Sequence, residues 1–87
     1  MTYAVAWTLL AVRQLNAVIA AADDPAEVRA AAARIDWALR RTPRDQGESR
    51  DPGFRLWYED VLGVYYHIDE ADMRVEVLYA GPARRHR

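Results

Sequence analysis

Three consecutive runs decide the fold: Phe54-Arg55-Leu56-Trp57-Tyr58-Glu59, Leu62-Gly63-Val64-Tyr65-Tyr66-His67-Ile68 and Met73-Arg74-Val75-Glu76-Val77-Leu78-Tyr79. Each alternates apolar with polar or amphipathic residues. A period of two puts one side of a strand in a core and the other in water. Glu59-Asp60-Val61 and Ile68-Asp69-Glu70-Ala71-Asp72 are short polar joins, so the three runs predict an antiparallel meander. The alternation assigns Arg55, Trp57, Glu59, Tyr65, His67, Arg74 and Glu76 to one open sheet face. Two cations, two acids, two aromatics and a histidine on one face make it the first place to look for function.

Upstream, Thr2 to Trp7 sets Tyr3, Val5 and Trp7 on one side and reads as a strand. Thr8 is placed to cap a helix whose apolar stripe is Leu9, Val12, Leu15 or Asn16, and Ile19. Asp23-Asp24-Pro25-Ala26-Glu27 combines an N-cap, a proline at the first helical position and an acid at the third. It predicts a second helix from Pro25 to about Arg41, burying Val28, Ala31 or Ala32, Ile35 and Leu39. The doubled aspartate is read as capping chemistry rather than a metal site. Thr42 to Gly53, broken by Pro43, Gly47, Pro52 and Gly53, reads as a long irregular loop. The chain closes on the basic run Arg84-Arg85-His86-Arg87. The expected architecture is α+β: an N-terminal strand, a two-helix hairpin and a three-strand meander, with the helices on one face of a four-stranded sheet.

Composition limits the chemistry. The 87 residues suit a single domain, 1–87, and an apolar share of 52% is ample for a packed core. There is no cysteine, which excludes disulfides and thiolate metal sites. Every strong cation is an arginine, so no lysine can serve as base or Schiff-base nucleophile. The formal net charge of −1 is low for a dedicated nucleic-acid binder. The apolar start lacks a basic segment before it, and no run approaches the ~20 apolar residues of a membrane span. The expectation is a cytoplasmic protein without membrane, metal or cofactor.

The order strand, two helices, three-strand meander resembles the RelE/ParE toxin superfamily. So do Tyr3-Ala4-Val5-Ala6-Trp7-Thr8 opening the chain, Arg34-Ile35-Asp36-Trp37-Ala38-Leu39 followed by Pro43, and Gly53-Phe54-Arg55-Leu56, Val64-Tyr65-Tyr66-His67-Ile68-Asp69 and Arg74-Val75-Glu76-Val77-Leu78 in the sheet. The resemblance implies a bacterial toxin of a type II toxin–antitoxin (plasmid-stabilisation) pair, held by a cognate antitoxin. In its RNA-cleaving branch, the mRNA interferases, basic side chains on the sheet face and after the last strand promote attack of a ribose 2′-hydroxyl on the adjacent phosphate. In its gyrase-directed branch that set is missing. Here Leu62-Gly63 stands where RNA-cleaving members carry Tyr-Arg, and Gly81-Pro82-Ala83 precedes Arg84, one position late.

The candidate catalytic residues are therefore Arg55, His67 and Arg84. Arg50, Trp57, Tyr65, Arg74, Arg85, His86 and Arg87 are candidates for contacting RNA, the ribosome, gyrase or another partner. Each has a plainer reading: Arg55 as a cross-strand ion pair, His67 as a half-exposed strand residue, Trp57 and Tyr65 as interface aromatics, residues 84–87 as a solvated tail. Two functions stay open, a toxin with weak or degenerate endoribonuclease activity and a non-catalytic binding module. Convergence of Arg55, His67 and Arg84 on one phosphate separates them.

Overall fold

A computed structural model describes residues 2–83, and all structural statements below concern those residues. The elements in chain order are β1 (Ala4–Trp7), α1 (Leu9–Ala21), α2 (Pro25–Arg41), a single 3-10 turn (Pro43–Asp45), β2 (Glu48–Asp51), β3 (Phe54–Glu59), β4 (Leu62–Asp69) and β5 (Arg74–Pro82). They form a five-stranded sheet in the order β1-β5-β4-β3-β2. β1 pairs with β5 in parallel, Ala4 opposite Arg74 and Trp7 opposite Val77. All other neighbours are antiparallel. The α+β class, the helical hairpin and the meander match the sequence expectation; the fifth strand does not.

The helix starts follow the capping chemistry. The Ala11 amide donates to Thr8 Oγ1 at 3.0 Å, and the Glu27 amide to Asp24 Oδ1 at 3.3 Å. Each satisfies an amide that the helix itself leaves without a partner. The core consists of Ala11, Val28, Ala31, Ile35, Leu39, Leu62, Val64, Tyr66, Ile68, Val75 and Val77, from both helices and the two central strands. α2 buries the predicted stripe. α1 does so only in its second half: Leu15 and Ile19 pack against the core, but Ala11 is its buried residue, Leu9 is 66% exposed and Val12 also faces outward. The helix is apolar on nearly every side, so its periodicity carries little phase information.

β1 ends at Trp7, yet β5 continues to Pro82, which would leave part of the last strand with an open edge. The start of α1 covers it. The Thr8 amide donates to the Val77 carbonyl at 3.0 Å, the Thr8 hydroxyl to Leu78 O at 3.2 Å, and the Ala80 amide to Gln14 Oε1 at 2.9 Å. The Thr8 amide and the side chains of Thr8 and Gln14 thus replace a missing strand.

Residues 42–53 are not the irregular loop the sequence suggested. Pro43 is buried, and Glu48–Asp51 pairs with β3 as an edge strand. All four residues of β2 are exposed, so no apolar alternation marks them. The segment is held from below. The Tyr66 hydroxyl donates to Pro43 O at 2.7 Å and lies 3.2 Å from Gln46 O, while Arg55 donates to Gln46 O at 2.6 Å and Gly47 O at 3.1 Å. Gly47 has φ +61°, and a Cβ there would meet Leu56 O at 2.2 Å, so only glycine fits the crossing.

The register of β3 corrects the expected open face. Asp60-Val61 forms a two-residue turn, Asp60 with φ 53°, which sets Glu59 opposite Leu62, Trp57 opposite Val64 and Arg55 opposite Tyr66. Directly opposed residues share a face. Leu62, Val64 and Tyr66 are buried against the helices, so Arg55, Trp57 and Glu59 point to the helix side as well. Glu59 pairs there with Arg34 of α2 at 3.1 Å.

Candidate functional site

The open face is built from the alternate positions of the three long strands. Tyr65, His67, Arg74 and Glu76 lie on it, as expected. Phe54, Leu56 and Tyr58 of β3 take the places that had been given to Arg55, Trp57 and Glu59. Tyr79 joins them because of a bulge: Tyr65 pairs with Tyr79 but Tyr66 with Val77, so Leu78 is an extra residue that shifts the parity of the rest of β5. No sequence signal marked that bulge. Tyr58 and Trp37 are each 60% exposed. Arg41 lies over the Trp37 ring, 4.1 Å from its centroid.

The result is an aromatic ladder. Tyr79 and Tyr65 stack with centroids 6.0 Å apart, Tyr65 and Phe54 at 5.8 Å, and Phe54 meets the His67 ring at 4.5 Å with a 47° tilt. Gly63 and Gly81 sit opposite each other on β4 and β5 beside it. The Tyr58 ring lies over Gly63, so close that a Cβ would fall 2.6 Å from it. Gly81 differs: nothing lies within 4 Å of where its Cβ would be. Leu56, Tyr58, Tyr65, Tyr79, Gly81 and Pro82 line an open notch of about 230 Å³ above it.

Charge on this face is mostly negative. By register Glu48 and Asp51 of β2, Asp69 of β4 and Glu76 of β5 lie on it, against Arg74 and the His67 imidazole. Arg50, at the bulge of β2, pairs with Glu48 at 3.3 Å. Of the residues assigned to catalysis, Arg55 and His67 are on opposite faces, and both Arg55 bonds go to backbone carbonyls. The open face that the two were expected to share holds only His67, because the two-residue turn at Asp60-Val61 fixes the opposite parity for β3. Trp57 lies against α2, away from Tyr65. Arg84, Arg85, His86 and Arg87 lie outside the described residues. No group of three or more potential metal-binding side chains occurs among the described residues. No described helix is long and apolar enough to cross a membrane.

No protein-family model matches the chain, and no curated protein does. Solved structures do. A chain of the toxin–antitoxin complex RelBE2 from Mycobacterium tuberculosis superposes with a TM-score of 0.75 at 21% identity, covering 95% of this chain and 100% of that one. A chain of the chromosomal ParDE toxin–antitoxin system from P. aeruginosa gives 0.69 at 14% identity, over 94% and 97%. A chain of the archaeal RelE-RelB complex from Pyrococcus horikoshii OT3 gives 0.66 at 19%, over 99% and 100%. These superpositions take in nearly the whole chain, helical hairpin and meander included, and the protein has the RelE/ParE-like toxin fold.

Proposed function

We propose that this chain is the toxin-fold member of a type II toxin–antitoxin pair, held by an antitoxin, and that it acts by binding protein through its open sheet face rather than by cleaving RNA. The fold supports the first half, since its neighbours are toxin–antitoxin complexes. One observation carries the second: Arg55 and His67 sit on opposite faces, with Arg55 bonded to the Gln46 and Gly47 carbonyls. Attack by a ribose 2′-hydroxyl builds charge at phosphorus, and that charge is stabilised only by donors already aimed at it. On the open faces of the three long strands Arg74 stands against Asp69 and Glu76, and β2 adds Asp51 and a Glu48 paired with Arg50. Carboxylates repel a phosphate backbone instead of neutralising it.

Induced expression without the antitoxin is the test. Growth arrest is expected with cellular messages intact at their 5′ and 3′ ends, in the wild type and in His67→Ala alike. Cleaved messages, with cleavage abolished by His67→Ala, would establish the ribonuclease instead. Harmless expression would remove the toxin reading itself.

A further inference from the structure

We propose that the notch above Gly81 is an anchor site for one apolar side chain from a basic polypeptide segment of the target protein. This rests on the reading of the open face as a protein-binding surface and names the chemistry that surface selects.

Size is the first argument. At about 230 Å³ the notch falls below the roughly 300–1,000 Å³ of small-molecule pockets. It has room for a single side chain. Its walls are aromatic and its floor is bare backbone: Tyr58 and Tyr79 stand 60% and 51% exposed on either side, and Gly81 leaves the space between them open. Exposed tyrosines around a small surface hollow that a partner's side chain can fill are the usual make-up of an interface anchor point. The neighbouring Gly63 offers no such space, because the Tyr58 ring already fills it. The two glycines therefore do different work. One lets Tyr58 lie close to the sheet, and the other keeps the hollow empty.

Charge is the second argument. The notch opens at one end of a face that also carries Asp51, Asp69 and Glu76, with Arg74 opposite Asp69 and with Glu48 already paired to Arg50. Glu76 lies opposite His67 and Gly81 opposite Gly63, four residues apart on β4, or about 13 Å at the usual rise per residue. A short extended segment spans that distance, so one segment can seat an apolar side chain in the notch and place Lys or Arg against the acids. Such complementarity favours a basic partner and disfavours acidic peptides and nucleic acid.

Gly81→Val tests this cleanly. Its Cβ enters open space, valine suits a strand, and the added methyls occupy the notch. Short randomised peptides displayed on phage are selected against the full chain, and a single-stranded oligouridine is titrated in parallel. Selected peptides are expected to combine basic residues with one aromatic or branched apolar residue. Their affinity is expected to fall on the order of tenfold in Gly81→Val and to be unchanged in Trp37→Ala, whose ring lies on the helix side. Amide spectra outside the notch should be unchanged; if valine disturbs them, Gly81→Ala replaces it, with a smaller loss in the same direction. Acidic selected peptides, no enrichment, or open-face binding indifferent to both substitutions overturns the anchor site while leaving the protein-binding reading in place. Open-face binding of oligouridine tighter than that of any peptide overturns both.

Discussion

Tyr66 ties the site's underside together, and its hydroxyl can be tested by titration. It is fully buried, donates to Pro43 O, and its pKa is pushed up to about 12, chiefly by burial, with the Arg55 guanidinium opposing. A tyrosine is neutral below its pKa, so a folded-state value above the unfolded 10.0 favours folding at neutral pH. That contribution is complete below pH 10 and is lost as pH rises towards 12. The expected loss is at most about 1.4 kcal/mol for each pH step in that window. Tyr66→Phe should cost about 1–3 kcal/mol at neutral pH by orphaning Pro43 O, and should flatten the alkaline decline of the melting temperature. Tyr3, which donates to Glu70, is also raised, so the difference between wild type and variant is the quantity to read. Tyr66 was legible from sequence as a core residue. Its acceptors were not, because a buried hydroxyl finds whichever carbonyl the tertiary fold brings to it.

At the scale of elements, the 3-10 turn and β2 are an appendage clamped from beneath. The carbonyls of Gln46 and Gly47 between them receive Arg55, and the strand pairs on one side only. Arg55→Ala is expected to lower stability by about 1.5–3 kcal/mol, the usual range for hydrogen bonds from a charged donor. Amide exchange should quicken first in Glu48–Asp51. A purely catalytic arginine would leave both readouts unmoved. The helices and the two central strands were legible because each has a local signature: the Asp24-Pro25 start, the stripe from Val28 to Leu39, the strict alternation from Leu62 to Ile68. β3 was legible as a strand but not in its parity, since Phe54, Leu56, Trp57 and Tyr58 are apolar or aromatic on both sides. Its turn settled the matter. In a two-residue hairpin the clear alternation of β4 dictates the face of every residue across from it, and Glu59 opposite Leu62 was the available clue. β2 has no apolar residue, and the Leu78 bulge has no marker at all.

At the scale of the molecule, the sheet is organised around β5. It is the sole strand partner of β1 and one of two partners of β4, and α1 packs along it. Removing residues 74–87 would unpair β1 and strip Val75 and Val77 from the core. A chain ending at Met73 is expected to show no cooperative thermal transition and to be digested by trypsin at least about tenfold faster than the full chain, a result of losing non-local contacts that the rest of the fold cannot replace. Retained cooperativity would mean that the hairpin and helices form a core of their own.

The parallel pairing of the first strand with the last also has a temporal meaning. A ribosome makes β1 first and β5 last, with the helices and the other three strands between them. Until Arg74–Val77 has emerged, β1 has no strand to join and the apolar first helix has no floor. Closure is thus a late and long-range event, of the kind that folds slowly. Nascent chains and premature termination fragments carry the tyrosines of the open face without the geometry that makes them a surface. The open face is an unfinished surface on every shorter chain, and anything that binds it can do so only once synthesis has reached the last strand.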